Sequence, residues 1–289
     1  MTLQFGRRDP LCPFLFLQPQ NLNPLPELRR LFGKDVITSS LPSSSSPQHS
    51  IYHPRLSKNV HHKVNQQGSG KSLLVTPEGD WPPWRGVGGM ECVVDTTISA
   101  DGRDPSGNVW WRFEHSLEYR EVTLMFLEAV LSMDPNSLIA IVQTVSPFHS
   151  NTLLQLSDVW SQQGDHGLAN SFNLRTIYSF SKALTPSFQS SIQNNGNSRL
   201  SFRYIENRLF FLAISKNLLS LIKRGCFRTA FEWARILFSL NPYEDPHGAL
   251  GWLEFLSGKC GIGEWRWWEG VCGVLEERGR RGAVSYTHL

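Results

Sequence analysis

Cysteine is scarce and scattered in this chain of 289 residues: there are five, an odd number, and no Cys-x-x-Cys. That argues against a disulfide framework and fits a reducing compartment. Long apolar runs are missing as well. The longest, Leu209 to Ile214, falls far short of the roughly 20 residues needed to cross a bilayer, so no membrane association is expected. Excess charge of one sign is also absent, since 28 basic against 25 acidic residues give a net charge of +3, scattered along the chain. A nucleic-acid stripe would gather Lys and Arg on one face. Direct DNA reading would need a basic helix aimed at base edges, and none is offered.

Catalytic signatures are lacking too. There is no Gly-x-Ser-x-Gly elbow, and nine His and five Cys never fall into metal-ligand spacing, Cys260 and Cys272 standing too far apart for a zinc pair. No catalytic residue, metal or cofactor is expected. Gly68-Ser69-Gly70-Lys71-Ser72 resembles the end of a phosphate-binding loop, but Asn65 stands where that loop needs its first Gly, and a flexible linker end is the simpler account. Arg7-Arg8 followed by Leu11-Cys12-Pro13-Phe14-Leu15-Phe16-Leu17 faintly mimics a signal peptide. Asp9, Pro10 and Pro13 interrupt it and no small-x-small site follows. His61-His62 reads as solvated, Cys226 as an ordinary buried thiol, and Glu277 to Gly282 as a small basic tail.

What is present is apolar and aromatic: 40% hydrophobic residues, with ten Trp and seventeen Phe, enough for a substantial core. The stretch from Lys223 to Pro242 carries the strongest local pattern. Gly225, Ala230 and Pro242 occupy the turn, close-packing and closing places of a tetratricopeptide-type repeat of roughly 34 residues. An earlier unit places Leu156 and Trp160 on its first helix, Gly164 in the turn and Ala169 at the close approach. Its Pro186 comes late, which predicts either a longer second helix or an irregular repeat. Near Ser116 a helix should begin, with Val122, Met125, Phe126, Ala129, Val130 and Met133 on one face. A third unit opens near Glu206-Asn207 and departs from consensus at Leu218. The fold class expected is all-α, an irregular tetratricopeptide-like α-solenoid preceded by a partly disordered arm. Such stacked units build surfaces for other proteins.

The organisation expected is an N-terminal segment with a short helix (1–37), a disordered Ser/Pro/His-rich linker (38–70), an extended Trp/Pro strap (71–110), a helical-repeat domain (111–259) and a divergent tail (260–289). In the strap, Trp81-Pro82-Pro83-Trp84 should clamp its rings onto this chain's own helices. Trp81 and Trp84, with Glu206, Asn207 and Arg208, are also candidate partner-contact positions.

Several ordered blocks together resemble one family. They include Asn21-Leu22-Asn23-Pro24 through Gly33; Leu74-Val75-Thr76-Pro77 with Trp81-Pro82 and Met90-Glu91; Phe113-Glu114-His115-Ser116-Leu117-Glu118-Tyr119; and Ser146-Pro147-Phe148-His149. Leu153 to Asp158, Glu206-Asn207-Arg208, Arg224 to Ala230 and Ser239 to Pro246 complete the set. The chain is similar to the transcription factor 25 family, also known as ribosome quality control complex subunit 1. The resemblance implies a non-enzymatic adaptor that works on stalled large ribosomal subunits. Its implied partners are a listerin-type ubiquitin ligase, ubiquitin chains and the valosin-containing AAA ATPase, and its implied place is the cytoplasm and also the nucleus. The family's older label implies the alternative, a nuclear transcriptional regulator acting through protein–protein contacts. The likeness fades from about Gly261, and Val284 to Leu289 looks like translated adapter DNA. A truncated member with an artefactual tail is therefore expected.

Overall fold

Proline, glycine and short polar caps decide where the helices of this chain start and stop. The computed structural model describes residues 9–15, 17–36, 72–79, 81–84, 89–261 and 265–276. The Ser/Pro/His-rich linker with His61-His62, the phosphate-loop-like Gly68 to Lys71 and the tail from Glu277 lie outside the described residues. Helices predominate among the described residues, in keeping with the expected fold class. The chain divides into two compact units. One comprises Met1–Pro24, Met90–His115 and Ala183–Leu289, and the other Leu25–Gly89 and Ser116–Lys182.

The second of these units contains α1 (Leu25–Phe32), α2 (Leu117–Leu131), α3 (Pro135–Ala140), α4 (Ser150–Gln162) and α5 (His166–Ala183). Ser116 caps α2 by accepting from the Tyr119 amide at 3.2 Å. Asp134 caps α3, with Pro135 in the first turn where no amide is missed. A wider π turn at Ile141–Val145 ends α3. The core joins Ala129, Leu138, Ile141, Leu153, Leu156 and Phe172, with Val122, Phe126 and Trp160 packed against it.

On α2 the inward line is therefore Val122, Phe126 and Ala129, steps of four and three. Met125 and Val130 lie to either side of it and stay exposed. Met133 follows the C-cap Ser132, has φ of 53° and leaves the helix face altogether. Between α4 and α5, Gly164 turns the chain with φ of 88°, a conformation costly for other residues. Ser157 then donates its hydroxyl to the Ala169 carbonyl at 2.8 Å, the close approach that the small side chain permits. Helix α5 runs for 18 residues, which accounts for the late Pro186.

The other unit contains α6 (Pro186–Asn194), α7 (Ile205–Lys223), α8 (Phe227–Leu240), α9 (Ala249–Cys260) and α10 (265–276). It also holds β1 (Met90–Val94), β2 (Val109–His115) and β3 (Ser198–Leu200). Strands β1 and β2 pair antiparallel with Cys92 opposite Phe113, and β2 runs parallel to β3 with Trp110 opposite Arg199. Residues 90–110, expected to belong to the extended strap, and 111–115, expected to open the helical-repeat domain, are thus largely a hairpin. Its alternation buries Cys92, Trp111 and Phe113. Phe113 meets Phe210 of α7 at 5.7 Å, and Trp111 meets Phe188 of α6 at 5.5 Å, both edge-on.

The α7–α8 hairpin turns at Gly225, whose φ is 77°. Ala230 and Leu218 are fully enclosed, and Pro242 is buried just past the end of α8. Helix α8 is buried along almost its whole length, Glu232 and Arg235 included, and these two charges pair with each other at 3.0 Å. Leucine at position 230 has no space to occupy, and overpacking costs roughly 1–3 kcal/mol. We expect Ala230→Leu to lower the thermal midpoint by several degrees in a calorimetric scan. An unchanged midpoint would remove the tight crossing from the account.

The N-terminal segment is held along α8. Leu11, Leu15, Leu17 and Leu22 are buried, the Trp233 indole donates to the Leu22 carbonyl at 3.4 Å, and Arg235 donates to the Phe14 carbonyl at 3.3 Å. Helix α10, set apart from the fold in the sequence reading, packs here too. Trp267 donates to the Phe14 carbonyl at 2.9 Å, and a Cβ added at Gly270 would sit 2.6 Å from the Phe14 ring.

Candidate functional site

Prolines at 77, 82 and 83 hold the strap extended, and its side chains are fastened to α5 and the turn before α4. Ser72 shares a hydrogen bond with Ser181 at 2.7 Å. The Trp81 indole donates to Ser171 at 3.1 Å, and Ser171 donates to Glu78 at 2.8 Å. The Trp81 ring lies 5.7 Å from Tyr178, while Trp84 meets Phe148 at 4.9 Å and Tyr178 at 6.0 Å. The guanidinium of Arg175 lies over the Phe148 ring at 5.1 Å. Both tryptophans therefore clamp onto helices of their own unit, Trp81 buried and Trp84 half-buried.

Between the strap and α2 lies a groove of about 610 Å³. It is lined by Pro82, Pro83 and Trp84, by Glu118, Glu121, Val122 and Met125 along α2, and by Val145 to Phe148. Tyr119 also contributes, but its hydroxyl is committed to accepting the Ser150 amide at 3.0 Å. Burial pushes the Tyr119 phenol up, with the bonds to Ser150 only partly opposing, so it stays neutral at physiological pH. Beneath the groove His149 is fully buried. One ring nitrogen bonds Thr152 at 2.7 Å, the other Thr123 at 3.1 Å, and Tyr119 lies against the ring at 4.6 Å. His149 thus fixes the entry to α4 and does not face the groove as a base. The arrangement offers an apolar, aromatic trough with carboxylates at its rim, suited to receiving a side chain or a segment of chain.

The other candidate contact positions lie in the sheet-containing unit. Asn207 is fully buried and stitches α7 to the sheet: it accepts from the Phe113 amide at 2.8 Å and donates to the Ser201 carbonyl at 2.7 Å. Glu206 is half-buried and Arg208 exposed, the latter donating to the Phe202 carbonyl at 2.9 Å. The repeat positions Leu156, Trp160, Gly164, Ala169, Gly225, Ala230 and Pro242 all lie in helix-pair interiors or turns.

A polar knot that sequence reasoning missed sits in the same unit. Asp9, buried, receives Arg199 at 3.4 Å, the Asn108 amide at 3.1 Å, the Leu11 amide at 3.1 Å and the Tyr243 hydroxyl. No spacing in the chain announces it, because its members are separated by up to 234 positions. No disulfide joins the five cysteines, and burial pushes the Cys92 thiol far up, which leaves it inert. Among the described residues no cluster of His, Cys, Asp and Glu could hold a metal, and no helix is long and apolar enough to cross a membrane.

The helix pairs and the α2 side of the groove agree with a known family. A family model described as Tcf25, transcriptional repressor TCF25, matches residues 111–276. The chain belongs to the Tcf25 family. The match spans both helix pairs and reaches the end of α10. A human protein named ribosome quality control complex subunit TCF25 is 35% identical over 232 residues, covering 80% of this chain and 30% of that protein. Ribosome quality control complex subunit 1 of Schizosaccharomyces pombe is 33% identical over 231 residues, with the same coverage. A probable transcription factor, claV, of Ampulloclitocybe clavipes is 32% identical over 246 residues, covering 83% of this chain and 30% of its own length. The chain therefore spans less than a third of these relatives. No solved structure matches.

Proposed function

We propose that this chain is a non-enzymatic adaptor subunit of the ribosome quality control complex. It assists ubiquitin-dependent extraction and degradation of nascent chains on stalled large ribosomal subunits. The observation that carries this reading is family membership across the helical region, where relatives in human and fission yeast bear ribosome quality control names. The make-up of the site supports a binding role, since helix pairs and an aromatic trough present surface to a partner. The partners of this reading are the large ribosomal subunit, a listerin-type ubiquitin ligase, ubiquitin chains and the valosin-containing AAA ATPase. Its place is the cytoplasm, on ribosomes, and also the nucleus.

The test is sedimentation of the tagged chain in cell extract through a sucrose gradient. Comigration with large subunits and ubiquitylated nascent chains is expected, increasing when translation is stalled. A chain that stays at the top of the gradient under stalling overturns the reading. A second reading, a transcriptional regulator acting through protein contacts, is favoured by the family description and by the name of the fungal relative. Exclusive nuclear residence with recovery on chromatin, and none on ribosomes, would select it.

A further inference from the structure

Helix α2 is apolar on two opposite faces. Its inner line of Val122, Phe126 and Ala129 belongs to the core. On the opposite side Leu117, Leu124 and Leu131 recur every seven residues, with Leu127 between the last two, and they are 75%, 62%, 83% and 49% exposed. Lone exposed leucines are ordinary, whereas four in a single stripe are not. Their spacing is that of a coiled-coil seam, three at one core place of the heptad and Leu127 at the other. Arg120 fills the remaining place, where its long stem can lie along apolar surface with the guanidinium at the edge.

Charge beside the stripe says what would cover it. Glu121 and Glu128 flank the same edge of the seam in the position that selects partners in paired helices. Both are exposed, and among the described residues neither has an ion-pair partner. A second copy laid antiparallel would bring these carboxylates against one another, which is unfavourable. A helix bearing Lys or Arg would meet them instead.

We infer that the outer face of α2 docks a basic amphipathic helix of another protein, one with leucine-type side chains at i, i+3 or i+4, and i+7. This deepens the adaptor reading and rests on it in taking the occupant to be a separate protein. The two fail separately, because the gradient experiment does not involve peptides and the following one does not involve ribosomes.

The probe is a synthetic, fluorescently labelled helix of roughly five turns with Leu at both heptad core places and Lys at the flanking ones. Its counterpart carries Glu at the flanks. Anisotropy titration with the full chain should show saturable binding of the Lys peptide and binding of the Glu peptide weaker by about tenfold or more. Leu124→Gln with Leu131→Gln should weaken the Lys peptide by about tenfold or more, with an unchanged thermal melt because both side chains already face solvent. Glu121→Lys with Glu128→Lys should reverse the preference between the two peptides. Absence of binding, equal binding of both peptides, or a preference that survives the charge reversal overturns the inference. So does early melting of the leucine variant, or a dimer in sedimentation velocity that the leucine variant abolishes, which would make a second copy the occupant.

Discussion

Asp9→Ala should cost the fold about 3–5 kcal/mol, because removing one member of a buried ion pair leaves the other charged and uncompensated. Arg199 is fully enclosed, and apart from Asp9 its guanidinium reaches carbonyls of Gly196, Ser198 and Ser239 and the sulfur of Cys12. Chemical denaturation of the purified variant would show a lowered midpoint with an unchanged slope. The double variant Asp9→Leu with Arg199→Met should recover much of the loss, since well-packed apolar side chains often replace such a pair at little cost. Burial by itself disfavours the Asp9 carboxylate. The hydrogen bonds from Tyr243, Leu11 and Asn108, with the charge of Arg199, outweigh it and hold the carboxyl below its ordinary value of 3.8. A depressed carboxylate contributes stability that is complete above the ordinary value and is lost as pH falls through the lower one. The stability gap between the native chain and Asp9→Asn should therefore narrow on acidification below about pH 4.

Asn207→Ala is the second large loss. It would leave the buried amide of Phe113 and carbonyl of Ser201 without their partner, at about 1–3 kcal/mol for each orphaned group. Glu206→Ala, one position away and half-buried, should stay within about 0.5 kcal/mol of the parent. Denaturation curves of the two variants separate a stitching role for the Glu206-Asn207-Arg208 block from a purely external one. If Asn207→Ala melts like the parent, the hydrogen bonds drawn here do not hold the sheet to α7.

Local punctuation was legible in the sequence. Gly164 and Gly225 announced the two helix-pair turns, Ala169 and Ala230 the close crossings, and late Pro186 the length of α5. These features depend on backbone geometry and on neighbours a few residues away. The hairpin was legible in part, since Trp111, Phe113 and His115 alternate with Arg112 and Glu114, but the strands are short and a family block ran across the second one. On α2 the expected face held Val122, Phe126 and Ala129 but also Met125, Val130 and Met133, which are exposed; with apolar residues on both sides of the helix, periodicity alone cannot say which side is core. The knot around Asp9 and the place of Asn207 needed tertiary structure, as their partners come from distant segments. The groove was half legible. Trp84 and Ser146-Pro147-Phe148 stood out, whereas the pairing of strap with α2 did not.

Phe14 takes a hydrogen bond from Trp267, 253 positions later, and its ring rests on the backbone of Gly270. At ordinary translation speeds of 5–20 residues per second, roughly 13–50 s separate the emergence of these two partners. For most of that interval Leu11, Leu15 and Leu17 have no α8 to cover them, and to its end they have no complete α10. A newly made chain thus exposes this apolar strip to chaperones until α8 and α10 have left the exit tunnel.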